Sequence, residues 1–150
     1  MPLIILALLV AAAVGGGASV AAQNALPGEP LWVFKVQVNE RVGATLAPGD
    51  KAKAGWDIAL VRERMEEAEI LAAEGALSTS AQAASKANIN THIQGLSRRV
   101  AALQERGDYA AAADIAIQLQ AAISSHISGP LELAAELDMA NALSASIVAQ

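Results

Sequence analysis

The stretch DKAKAGWDIALVRERMEEAEILAAEG, Asp50 to Gly75, decides the fold. Ala54, Ile58, Val61, Met65, Ala68 and Ala72 recur through it at helical spacing and mark one face of an unbroken helix. Asp50 follows the break Ala47-Pro48-Gly49 and is the expected N-cap, while Gly75 suits the residue just past the end.

The same reading extends outward. Downstream, Thr79 to Gln82 (TSAQ) reads as a capping box. It opens a helix whose inner face is Ile89, His92 or Ile93, Leu96, Val100 and Leu103. Gly107 ends that helix and Asp108 caps the next, with Tyr109, Ala112, Ala116, Leu119, Ile123 and Ile127 on one face. Gly129-Pro130 breaks the chain again before Leu133, Leu137, Ala140 and Ile147. Upstream, Pro30 suits a first helical position, and Leu31, Phe34, Val38 and Val42 form a stripe ending near Thr45. Trp32 lies off that stripe, suited either to a membrane interface or to packing on a neighbouring helix. The predicted helices cover 30–46, 51–74, 80–105, 109–128 and 130–149. Short connections between long helices favour antiparallel neighbours, so the expected fold is all-α, an up-and-down bundle of four to five helices, the first bracing the others.

Composition agrees. Alanine fills 36 of the 150 positions, and it is the best helix former and a poor strand former. The formal net charge of −5 argues against a nucleic-acid groove, which needs clustered Lys and Arg. All ten basic residues lie between Lys35 and Arg106. From Gly107 onward the only formal charges are Asp108, Asp114, Glu132, Glu136 and Asp138, so this tail is expected to bury more than one face, within the fold or against a partner. The absence of cysteine removes disulfides, thiolate metal sites and cysteine nucleophiles.

Ahead of the bundle, Leu3 to Ala22 is a run of twenty residues without a charge. As a helix it would be about 30 Å long, enough for a bilayer's hydrocarbon core. Two readings stand: a retained membrane anchor, or a signal peptide cleaved between Ala22 and Gln23 after the small residues Ala21 and Ala22. Residues 1–22 are thus assigned to export or anchoring, 23–30 to a linker and 31–150 to the helical domain, placed beyond the cytoplasmic membrane. A signal peptide normally carries Lys or Arg before its apolar core, and only Met1 and Pro2 precede this one, so a start upstream of Met1 is expected. Amino-terminal sequencing of the exported protein tests this; an unprocessed Met1 with normal export contradicts it.

ALPGEPLWVFKVQVNERV, followed by KAGWDIALVRERMEEAEILAAEGALS, resembles the bacterial "domain of unknown function 5667" family. Leu26, Pro27, Gly28, Pro30, Leu31 and Lys35 match the family's opening motif, with Glu29 in place of its usual Asp and Trp32 in place of its Tyr. Arg62, Arg64, Glu66, Glu67, Ala68, Leu71, Ala72 and Gly75 match its second part. The resemblance covers Gln23 to Ser78. It implies a helical fold placed outside the cytoplasmic membrane and carries over no functional residue.

The chemistry-bearing residues form no familiar catalytic constellation. Ser124, Ser125 and His126 are adjacent in sequence and therefore point apart on a helix. No Gly-x-Ser-x-Gly, phosphate-cradling or metallohydrolase motif is present, so no catalytic, cofactor or metal residue is assigned and no enzyme is expected. His92 and His126, the two histidines, would be offset by roughly 7 Å along a helical hairpin, which suits a shared metal poorly. Glu63, Glu66, Glu67 and Glu74 lie along one stripe of the Asp50–Gly75 helix, a surface for a partner or a solvated face with Arg62 and Glu66 paired. The expected function is a non-enzymatic module of the bacterial envelope acting by contact with a protein partner or with itself. Membrane contact through residues 3–22 is added if these are retained, and nucleic acid is not a partner. The alternative is a metal- or small-ligand-binding stress sensor using the acidic face.

Overall fold

The computed structural model describes residues 16–148. Residues 16–22 are helical, and a turn leads from them into an arm made of α1 (Pro30–Phe34), a π-helical turn (Lys35–Asn39) and α2 (Glu40–Leu46). Four longer helices follow: α3 (Gly49–Ala73), α4 (Thr79–Glu105), α5 (Tyr109–Ser124) and α6 (Ala134–Val148). The described residues contain no strand, and the all-α expectation holds. No described helix is long and apolar enough to cross a membrane. The greater part of the Leu3–Ala22 segment, residues 3–15, lies outside the described residues.

Side-chain pairs give the helix directions. Asp50 meets Arg106 at 2.6 Å while Asp57, two turns on, meets Arg99 at 3.4 Å and His92 at 2.9 Å, so α3 and α4 run antiparallel. Lys51 approaches Asp114 at 3.9 Å and Glu69 meets His126 at 2.7 Å, so α5 runs with α3. Asn90 donates to Glu136 and Gln104 to the Ser146 carbonyl, so α6 runs with α4. This is the up-and-down bundle that the short connections predicted.

Its core is the set of stripes read for the four long helices, except that Ala72, at the end of the α3 stripe, is exposed. Ile58, Val61 and Met65 of α3 meet Ile89, Ile93, Leu96 and Val100 of α4, with Ala112, Leu119 and Ile123 of α5 and Ala140 of α6 closing the cluster. Of the two residues open at one α4 position, Ile93 is buried and His92 lies at the edge. Tyr109 and Ile127, at the ends of their predicted face, remain exposed.

The helix ends show where local chemistry yields to tertiary bonds. Gly75 has a φ of +67°, and the Ala76 and Gly75 N–H groups donate back to the Leu71 and Ala72 carbonyls, the closure expected of a glycine at this position. Asp108 caps α5 by accepting from the Ala111 N–H at 3.2 Å, as expected. Asp50 does not cap α3. Pro48 holds the N-cap position, no side chain caps there, and the Asp50 carboxylate is drawn to Arg106. The α4 cap is Ser78, whose Oγ accepts from the Ala81 N–H, one residue before the predicted box. Gln82, meant to complete that box, instead donates to the Pro130 carbonyl. The predicted 109–128 and 130–149 helices are shortened because Leu131 and Leu133, each 1% exposed, leave helical geometry to plug the core.

The arm departs most from expectation. Leu31, Val38 and Val42, read as an inward stripe, are exposed, while Lys35 and Glu40 are buried. The π-helical turn explains the change. Its wider winding, with the Glu40 N–H donating to the Lys35 carbonyl five residues back, stacks Lys35 and Glu40 on one side where an α-helix would splay them apart. The Ala22–Gln23 bond also proves to be built into the structure: Ala22 is fully buried, and Ser19 and Asn39 exchange hydrogen bonds at 2.6 and 2.8 Å.

Where the arm crosses α3, Gly43 lies against the Trp56 ring, whose Nε1 donates to the Glu40 carbonyl at 3.2 Å. A β-carbon at Gly43 would fall 2.3 Å from Trp56 Cζ2. Gly43→Ala gains helix propensity but must push out a ring held by that bond. We expect it to destabilise the protein by about 1–3 kcal/mol, as for an overpacked contact, read by urea denaturation followed by circular dichroism. An unchanged or raised midpoint would show that the ring moves freely.

Candidate functional site: a buried ionic clasp between the arm and α3

Arg64 sits in the middle of α3 with no solvent exposure. Long polar side chains rarely reach that state unless they are paired, because stripping water from a charge costs several kcal/mol. Its partners come from both sides of the seam. Arg64 Nη2 lies 2.9 Å from Glu40 Oε1 on the arm, and 3.1 Å from Glu67 Oε1 and 3.4 Å from Glu63 Oε1 on its own helix. Lys35 reaches in from the arm, 2.5 Å from Glu63 Oε1 and bonded to Glu67 Oε1. Trp32 closes the top: its Nε1 donates to Glu67 Oε2 at 3.2 Å, and its ring lies 5.5 Å from the Arg64 guanidinium carbon.

Five formal charges therefore share the seam, two cations and three carboxylates, all buried except Glu63, which reaches the surface. The contacts of Arg64 are close without being aligned. None of its guanidinium nitrogens, and neither Glu40 oxygen, has a hydrogen bond of good geometry. The attraction is Coulombic rather than directional. Burial pushes the Glu40 and Glu67 carboxyls above their ordinary value, and the pull of Arg64 only partly offsets this.

This places the predicted acidic surface. Glu67 is buried in the clasp, and Glu63, with its side chain 38% exposed, turns toward Lys35 and Arg64. Glu66 and Glu74 face solvent, as does Arg62. The stripe divides into an internal half and an exposed half. Ala22 is buried and Gln23, across the proposed cleavage bond, is exposed.

Beside the clasp, a cleft of about 320 Å³ opens between the arm and α4, lined in part by Glu40, Asp57, Asn88, His92 and Arg99. Asp57 holds His92 through Nδ1 and also receives Arg99. Thr91, the hydroxyl next to His92, is turned back to the Ala87 carbonyl of its own helix. His126 Nδ1 pairs with Glu69, which lies about 18 Å further along α3 than Asp57, the partner of His92, so the two histidines share no partner. Among the described residues no group of three or more His, Cys, Asp or Glu side chains is arranged to hold a metal ion.

Sequence reasoning passed over Lys35, Glu40 and Arg64 as functional residues. The visible signal was the opposite charges Lys35 and Glu40, five apart in the arm, a spacing that brings them to one side across a π-helical turn. Comparison with family models, with curated proteins and with solved structures finds no match for this chain.

Two outcomes follow from the clasp. Arg64→Ala leaves the buried Glu40 and Glu67, with Glu63 at the edge, facing a single lysine, and should lower unfolding stability by about 3–5 kcal/mol in urea titrations. The pH dependence has a definite sign. Glu40 and Glu67 hold protons more tightly folded than unfolded, so their burial penalty is full above the folded pKa and is relieved as pH falls toward 4.5. Asp50, lowered by its hydrogen bond to Arg106, acts in the opposite direction. Comparing wild type with Glu40→Gln isolates the first effect: wild type should gain stability relative to the variant between pH 7 and pH 4. A gap that widens the other way would show that Glu40 is held as the anion.

Proposed function

We propose that this chain is a non-enzymatic helical module of the bacterial envelope, held at the outer face of a membrane, that acts by protein–protein contact through the outer face of α5 and α6. The observation that carries this reading is an uncovered apolar surface in the charge-poor half of the chain. Ile117 is 61% exposed, and beside it a shallow crevice of about 100 Å³ is lined by Ala113, Ala116, Ile117, Ser144, Ile147 and Val148. Met139 is exposed as well. From Gly107 onward the formal charges are five carboxylates and no base, so a partner meeting this face displaces water from methyl groups set between sparse acidic groups such as Asp114 and Asp138.

Placement rests on the uncharged Leu3–Ala22 run and on the resemblance of Gln23–Ser78 to the family named above. The motif residues Lys35, Arg64 and Glu67 all fall in the clasp, with Trp32 at its edge. In this reading the resemblance concerns how the arm is fastened, and the contact surface lies elsewhere.

The test is a photo-crosslinking residue in place of Ile117 in the full chain, in its producing cell. It should yield a discrete cross-linked species that the same group at exposed Ala101 does not. Ile117→Asp should weaken the captured association at least about tenfold, the loss expected when one apolar side chain worth about 1.5–3 kcal/mol is removed from an interface. Equal cross-linking at both positions, or none at Ile117, would refute the proposal.

A further inference from the structure

The arm carries a second uncovered apolar face, and its geometry differs from the first. Six of the twelve exposed large apolar side chains among the described residues fall between Val20 and Leu46: Val20, Leu31, Val33, Val38, Val42 and Leu46. Val33 and Val38 are five residues apart across the π-helical turn; Val42 and Leu46 follow at intervals of four. The winding that brings Lys35 and Glu40 together on the inner side thus brings Val33, Val38, Val42 and Leu46 into one stripe on the outer side. Their exposures are 52%, 40%, 53% and 75%.

The charges of the arm are disposed to match. Lys35 and Glu40 are turned inward into the clasp, which leaves Arg41 as the exposed charge of residues 30–46. A helix offering aliphatic groups on one side, and a single long cationic chain able to bend toward water, suits the boundary between lipid headgroups and acyl chains. The position of the arm is also constrained. Helix 16–22 continues directly from the uncharged residues 3–15, and Ser19 and Asn39 bond each other in both directions. Wherever the leading run lies, the middle of the arm lies beside its end.

We propose that the Val33–Val38–Val42–Leu46 stripe rests on the bilayer surface, so that the arm is an interfacial helix clamped to the bundle by the ionic clasp. This rests on the membrane placement proposed above and adds an orientation: the arm lies against lipid, and the α5–α6 face is left free for a protein.

The absence of cysteine makes the test direct. Single substitutions Val38→Cys, Val42→Cys, Ala101→Cys and Val10→Cys in the full chain are labelled with a fluorophore. The labelled proteins are reconstituted into phosphatidylcholine–phosphatidylglycerol vesicles. Each label is then challenged with nitroxide on the acyl chains and with a water-soluble quencher. The expected result is several-fold stronger lipid quenching at positions 38 and 42 than at 101, at a depth of roughly 5–10 Å as for an interfacial helix. If position 10 is quenched by lipid while 38 and 42 behave like 101, the stripe is not on the membrane and the anchored placement stands. If 38 and 42 are shielded from both quenchers, protein covers the stripe, and this proposal gives way to pairing of arms between copies. If position 10 is untouched by lipid as well, the anchored placement falls and this orientation falls with it.

Discussion

The structure is organised around a guanidinium with no access to water. Arg64 stands in the middle of α3, one residue from Met65 and three from Val61, both core residues. A lone cation there would be untenable, and α3 alone supplies Glu63 and Glu67 as counter-charges. Those two carboxylates overcompensate, and the excess is met from the arm by Lys35, while Glu40 takes the remaining side of Arg64. The arm adds one charge of each sign, so it leaves the net charge of the seam unchanged and supplies counter-charges in place and cover. Such a network contributes little net stability compared with an apolar seam, but removing any one member strands the others. It specifies position: the arm has one register in which its two charges meet theirs.

That requirement accounts for the π-helical turn. Lys35 and Glu40 are separated by five residues, and an α-helix would direct them well apart around its axis. The wide turn costs a less regular hydrogen-bond ladder and returns three ion pairs and a tryptophan contact. It also fixes what faces outward, since the same turn aligns Val33 with Val38.

The bundle was legible in the sequence because each of its inner faces is apolar and spaced at three and four. Ile89, Ile93, Leu96, Val100 and Leu103 are buried as their spacing implied, and Gly75 and Gly107 end helices as their backbone freedom allows. The caps were legible to within a residue, failing where Asp50 and Gln82 found distant partners in Arg106 and the Pro130 carbonyl. The arm was misread because its buried side is ionic and its exposed side aliphatic, the reverse of the rule by which amphipathic helices are oriented. Periodicity assumes a constant number of residues per turn, and a single wide turn defeats it. For the same reason Glu67 was counted among surface carboxylates: nothing in its own helix announces that Lys35, 32 positions earlier, will cover it.

Both tryptophans of the chain stand at this one seam, Trp32 beside Arg64 and Glu67, and Trp56 beneath Gly43 with its indole nitrogen on the Glu40 carbonyl. The helices α4, α5 and α6 contain none. Intrinsic indole emission thus reports on the fastening of the arm and is blind to the rest of the bundle. The molecule carries a built-in optical gauge of whether its leading segment is seated or released.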